Sequence, residues 1–135
     1  MKLTILGDPV AKGRPKLTSF GGHARAYTPA KTRMAEDHIR SQIANQLPKG
    51  FVPFACPIWI TIGIYKSKPK HAKKTDIYPS RRPDLDNYIK TVLDAMNMVV
   101  FQDDALICSI KAQKDYDAIP RIEIEINEYL YKVKP

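Results

Sequence analysis

Ile58-Trp59-Ile60-Thr61-Ile62-Gly63-Ile64-Tyr65 decides the fold. Isoleucine at every second position has the period of a β-strand, with one face turned to a core and the other away from it. This is the clearest strand in the chain and reads as a long central one. Downstream, residues 106–116 and 121–129 read as two further strands joined near Asp117-Ala118-Ile119-Pro120. In the second, Ile122, Ile124 and Ile126 alternate with Glu123 and Glu125, with Glu128 nearby, giving one core face and one wet face. Upstream, Leu3 and Ile5 alternate with Lys2 and Thr4 until Gly7-Asp8-Pro9 stops the pattern, so residues 2–6 are a strand as well.

Two helices fit between these strands. Thr28-Pro29 supplies an N-cap followed by proline at the first helical position, opening a helix over about residues 29–46. Met34, Ile39, Ile43 and Leu47 are its expected buried stripe, and residues 48–53 its exit loop. The second helix follows Asp84. At about 100° per residue, Leu85, Tyr88, Ile89, Val92, Leu93, Ala95 and Met96 fall on one half of the wheel, and Asp86, Asn87, Lys90, Thr91, Asp94 and Asn97 on the other. The order β-α-β-α-β-β describes an α+β fold, a single two-layer domain with two main helices against a mixed sheet. A chain of 135 residues is long enough for one core and too short for two.

Charge is unevenly placed along the chain. The net charge is +8, and residues 1–83 hold 16 Lys/Arg against 4 Asp/Glu, whereas residues 84–135 hold 6 against 10. A basic first part suits a phosphate backbone, because each cation that meets a phosphate releases condensed counterions; solubility alone is the plainer account. The segment from Ala11 to Tyr27 reads as a loop whose Lys12, Arg14 and Lys16, with Gly13, Gly21 and Gly22, make either a phosphate-contacting arm or an ordinary solvated surface loop. A second basic segment, about residues 66–82, has no apolar pattern; it reads as a flexible loop that orders on DNA, with a solvated charge run as the plainer account. Its cations include Lys68, Lys70, Lys73, Lys74, Arg81 and Arg82.

Against this background Asp84-Leu85-Asp86-Asn87, Lys90 and the pair Asp103-Asp104 stand out. Carboxylates repel phosphate, and a bound divalent cation explains why a basic protein keeps several together. Oxygen donors without His or Cys suit Mg²⁺, with Mn²⁺ as a substitute, and argue against zinc. Two such ions activate water and stabilise the leaving oxygen in phosphodiester hydrolysis, and Lys90, one turn from Asp86, is placed to steady charge in the transition state. Reach is tight: residues 86–98 span roughly 18 Å as helix, and six extended residues return at most about 20 Å. If Asp104 falls short, the third carboxylate has to come from a partner subunit. Plainer readings stand beside this one. Asp84 is then an N-cap, Asp86 and Lys90 a surface pair of a few tenths of a kcal/mol, and Asp103-Asp104 a turn.

Other chemistries find no support. The D-x-D start meets Tyr88 and Ile89 where an EF-hand needs an oxygen ligand and glycine, and nucleotide-binding glycine motifs are absent, so no nucleotide cofactor is expected. His38 has no companion at metal-ligand spacing, and Cys56 and Cys108 read as small apolar fillers. No signal peptide or membrane span is expected, which points to a soluble cytoplasmic protein.

Arg82-Pro83-Asp84-Leu85-Asp86-Asn87, Lys90, Leu93-Asp94-Ala95 and Asp103-Asp104 resemble the RusA family of Holliday junction resolvases, particularly its phage and prophage branch. Lys12-Gly13-Arg14-Pro15-Lys16 and Tyr27-Thr28-Pro29 resemble that branch too. The resemblance implies a Mg²⁺-dependent homodimeric endonuclease of the host cytoplasm that cuts four-way junction DNA symmetrically during recombination and repair. It also implies Asp84, Asp86 and Asp104 as metal-binding catalytic carboxylates, Asp103 as their neighbour and Lys90 as the catalytic lysine. Pro83 departs from the pattern, standing where some members carry arginine. A DNA-binding protein without catalysis, and a metal nuclease of flaps or duplex, are the competing classes.

Overall fold

In the computed structural model, which describes residues 1–14 and 16–130, the central run forms β4 (Ile58–Lys66). It lies between β5 (Ile107–Tyr116), to which it is parallel, and β6 (Arg121–Glu128), to which it is antiparallel. β1 (Lys2–Leu6) adds antiparallel to β6, so the mixed sheet runs β1-β6-β4-β5. Cross-strand partners share a face. The register therefore lines Leu3 with Ile124 and Ile62, and Ile5 with Ile122 and Ile64, as one buried apolar surface. Helices α1 (Ala30–Gln46) and α2 (Leu85–Met96) cover it, giving the expected α+β layers. On the uncovered face Gly63 leaves room for the Tyr65 ring, which an added Cβ would meet at 2.7 Å, and the Arg121 guanidinium lies 4.1 Å from the centre of that ring.

Three details differ from the sequence reading. The expected loop between residues 11 and 27 contains a hairpin, β2 (Lys16–Phe20) and β3 (His23–Tyr27), closed by Gly21-Gly22. Both glycines have positive φ, 60° and 81°, as a two-residue primed turn requires, so the Gly-Gly pair was a hairpin signal. α1 begins at Ala30 with Pro29 in the capping position, and Met34 is 71% exposed because Thr32, Ile39 and Ile43 form the buried line. On α2 Thr91 is buried rather than exposed, since its hydroxyl donates to the Asn87 carbonyl at 3.2 Å and leaves no unpaired polar atom. Lys66 closes β4, and residues 67–82 carry no helix or strand but hold local hydrogen-bonded turns, such as Asp76 N–H to the Lys73 carbonyl at 2.9 Å.

An edge strand exposes unpaired backbone groups, and β1 has an unusual partner for its own. Gln46 accepts from Thr4 N–H at 2.9 Å and donates to the Thr4 carbonyl at 2.7 Å; Gln42 does the same at Leu6, 2.9 Å each way. His38 Nε2 lies 2.9 Å from the same Leu6 carbonyl. Spaced four apart on α1, the two amides act as an artificial neighbouring strand. Replacing both with alanine is expected to lower stability by about 2 kcal/mol, read as a lower urea midpoint, while Asn45→Ala on the exposed side leaves it unchanged.

Candidate functional site

The turn that enters α2 is fixed from β5. The Lys114 ammonium donates to the carbonyls of Arg81 at 2.9 Å and Pro83 at 3.0 Å, holding the end of the basic segment where α2 begins. Asp84 occupies the N-cap position with extended backbone, φ −71° and ψ 149°, yet its carboxylate makes no capping bond. Asp86 lies in the first turn, and among the described residues no ion pair joins it to Lys90. All three side chains are exposed. The capping and ion-pair readings therefore do not account for them. Acid near a helix N-terminus is favoured by the macrodipole, which offsets part of the crowding of two carboxylates there.

The second acidic group sits lower on the same helix. Residues 97–101 do not run back extended. Val99 and Val100 donate to the Met96 carbonyl at 3.0 and 2.9 Å, Met98 takes φ 65°, and buried Phe101 pairs with Phe54 and Asn97. Asp103 then caps a short 3₁₀ turn, its carboxylate accepting from Ala105 N–H at 3.0 Å. That bond, and then a hydrogen bond from Asp104, hold the Asp103 carboxyl below the usual carboxylate range. Asp104 is pushed above it, first by the shared hydrogen bond with Asp103, then by burial and by the charges of Asp103 and Asp94. Asp94 itself lies two turns, about 12 Å of helix, beyond Asp86. The compact turn uses up the chain length that an extended return would have needed.

The acidic residues accordingly form two groups along one stripe of α2. Asp84 and Asp86 are at its head, Lys90 follows one turn on and Asp94 another, while Asp103 and Asp104 lie in the turn that leads into β5. Among the described residues no three His, Cys, Asp or Glu side chains come close enough together to hold a metal ion. The donor chemistry of each group, carboxylate oxygen alone, fits a hard divalent cation.

Asp94 went unremarked as a site residue, and its partner is Lys12. The Lys12 ammonium pairs with Asp94 and lies 3.7 Å from Glu36. Its backbone N–H donates to the Asn87 carbonyl at 2.9 Å, and Gly13 N–H donates to the Thr32 hydroxyl at 3.0 Å. The Lys12-Gly13 strap therefore ties both helices together, and Lys12 is occupied by acid rather than held out toward phosphate. Its pKa is raised, chiefly by the Asp94 hydrogen bond. The pair's contribution is thus fully present below the ordinary lysine value of 10.5 and is lost as pH climbs through the raised one. Lys12→Met leaves the half-buried Asp94 carboxylate unpaired and Glu36 with Arg40 alone, at 3.5 Å, and is expected to cost about 2 kcal/mol in urea denaturation. Arg14→Met is expected to leave the midpoint where it was.

The remaining cations of the arm and the basic segment, Arg14, Lys68, Lys70, Lys73, Lys74, Arg81 and Arg82, are exposed. Lys16 lies in β2, its side chain outside the described part. On the uncovered face of the sheet Glu123 and Glu125 stand with Lys2 and Lys111, so the charge there is mixed. No helix among the described residues is long and apolar enough to cross a membrane.

Comparison with known proteins places the chain in a family. The family model for endodeoxyribonuclease RusA matches residues 7–127. The uncharacterized protein YqaN of Bacillus subtilis (strain 168) is 30% identical over 138 aligned residues, covering 95% of this chain and 96% of that protein. A crossover junction endodeoxyribonuclease rusA of Lactococcus phage r1t is 31% identical over 91 residues, 67% of this chain and 69% of its own length. With nearly the whole length matched and the Asp84 to Asp104 region inside the match, the chain belongs to the RusA family of endodeoxyribonucleases.

Proposed function

We propose that this endodeoxyribonuclease is a Mg²⁺-dependent, structure-selective enzyme that resolves Holliday junctions by symmetric paired nicks, acting as a homodimer in the host cytoplasm. The observation that carries the reading is the head of α2. There, in a basic chain of this family, Asp84 and Asp86 are free of capping bonds and ion pairs among the described residues, one turn from Lys90.

Asp84 and Asp86 of one chain would hold the ion, and Asp104, with Asp103 beside it, would complete the donor set from the partner subunit. When bound, the metal supplies a lowered pKa for attacking water and neutralises charge on the phosphate; Mn²⁺ is an acceptable substitute. In the hydrolysis a water oxygen bonds to phosphorus, the bond from phosphorus to the 3′ oxygen breaks, and that oxygen takes a proton, leaving ends that ligase can seal. Lys90 lies beside the developing negative charge, and its fixed ammonium stabilises the transition state more than the ground state. Arg81 and Arg82, held next to Asp84 by Lys114, attract the phosphate. A four-way junction presents two equivalent strands, and a two-fold dimer presents two equivalent sites to them.

One gel tests the substrate class. Four-way junction, flap and linear duplex are incubated with and without Mg²⁺. The reading expects cutting of the junction alone at low enzyme, and only with metal. Equal rates on flap or duplex would move the protein to a general metal nuclease, and binding without nicking at any metal concentration would make it a structural DNA-binding protein.

A further inference from the structure

Among the described residues, no side chain of the β2–β3 ribbon belongs to the buried core. Every residue of β3 is exposed, and Leu17 of β2 is 76% exposed. A lone two-stranded hairpin is marginally stable in water, so one built this way gains most from a partner that covers it. Cross-strand partners share a face, which puts Thr18, His23, Arg25 and Tyr27 together on one side. Leu17, Ser19, Ala24 and Ala26 share the other.

Charge selects the kind of partner. Between Asp8 and Glu36 the chain holds six Lys/Arg and no carboxylate, and Arg14, Lys31 and Arg33 continue the exposed cations on either side of the ribbon. Two copies of such a segment repel each other, whereas a nucleic acid backbone draws it in. The ribbon is also tied to the acidic helix. One leg passes through the Lys12-Gly13 strap to α2 and α1, and the other enters α1 within three residues of Tyr27. At its foot is a cleft of about 460 Å³ walled by Val10, Gly13, Pro29, Lys31, Pro83 and Tyr88, and Pro83 immediately precedes Asp84.

The B-form major groove, about 12 Å wide, admits a two-stranded β-ribbon. We propose that the β2–β3 ribbon lies in the major groove of a duplex arm next to the crossover, its Thr18, His23, Arg25 and Tyr27 face against the base edges. So placed, it sets how far the scissile phosphate lies from Asp84. This rests on the junction-nuclease reading above and adds to it the element that grips an arm.

The test uses the full chain and a synthetic four-way junction in EDTA, so that binding is read without cleavage. Wild type is compared with Arg25→Ala and with a form in which Gly-Gly replaces residues 17–26. Guanine N7 protection from dimethyl sulfate, salt dependence of binding and sedimentation are measured for each. Wild type is expected to protect guanines on an arm flanking the crossover. Both variants are expected to lose that protection, bind about tenfold more weakly, and show a salt slope reduced by about one. Unchanged protection and slope in the shortened form would overturn the proposal. So would a change in its sedimentation from dimer to monomer, which would make the ribbon a subunit contact. Wild type that grips the arm yet never nicks a junction with Mg²⁺ would instead overturn the nuclease reading and leave the ribbon's placement standing.

Discussion

Asp86→Asn is expected to reduce Mg²⁺-dependent cleavage of a four-way junction on the order of 10³-fold, because metal-ion stabilisation of a phosphoryl transition state is worth several kcal/mol and each 1.36 kcal/mol is a factor of ten. Junction affinity measured without metal should stay within about threefold, since the exposed carboxylate repels phosphate and its neutral isostere does not. The substitution is nearly isosteric and Asp86 makes no hydrogen bond or ion pair among the described residues, so the urea midpoint should not fall. Loss of cleavage with retained binding and stability is the signature of a residue that acts on the reaction. Full activity would remove Asp86 from the site.

Phe101→Ala is expected to lower stability by about 3–5 kcal/mol. The ring is fully buried, and its backbone is bonded on both sides: its carbonyl accepts from Met98 N–H at 2.8 Å, and the neighbouring Gln102 N–H donates to the Phe54 carbonyl at 2.9 Å. Small domains have only about 5–15 kcal/mol in total, so this change alone brings the chain near its unfolding threshold. The same residue holds the turn that carries Asp103 and Asp104, so cleavage should fall even at temperatures where the variant remains folded. Denaturation and cleavage measured on one preparation separate the two effects. A variant with a wild-type midpoint would mean that the turn is held by something other than this ring.

The architecture was legible because the strands write their period plainly. Ile58 to Ile64 and Ile122 to Ile126 alternate without interruption, and the register places them against one another as one apolar surface. The β2–β3 hairpin was harder to read because its alternation involves no core. With Leu17, Ala24 and Ala26 all exposed, no hydrophobic period marks the strands, and only Gly21-Gly22 signals the turn. Thr91 was misplaced because a wheel sorts by polarity, while a threonine hydroxyl can be satisfied by the carbonyl four residues back and so be buried.

The candidate site was legible as a set of residues more than as an arrangement. Carboxylates in a basic chain draw attention wherever they fall, hence Asp84, Asp86, Asp103 and Asp104. What spacing could not give was the compact turn over residues 97–101, which takes the place of an extended return. Nor could it give the destination of Lys12, since a lysine among glycines and arginines reads as free until its partners, Asp94 and Glu36, are known from tertiary contact.

The most direct test of the account follows all four strands of a single junction. A synthetic four-way junction with each strand separately labelled is cut by the wild-type chain in Mg²⁺ and then treated with ligase. Nicks are expected at equivalent positions in two opposed strands, with products that ligase seals into intact duplexes and no cutting when EDTA replaces Mg²⁺. Nicks spread over all four strands, ends that ligase cannot seal, or equal cutting in EDTA would contradict the account.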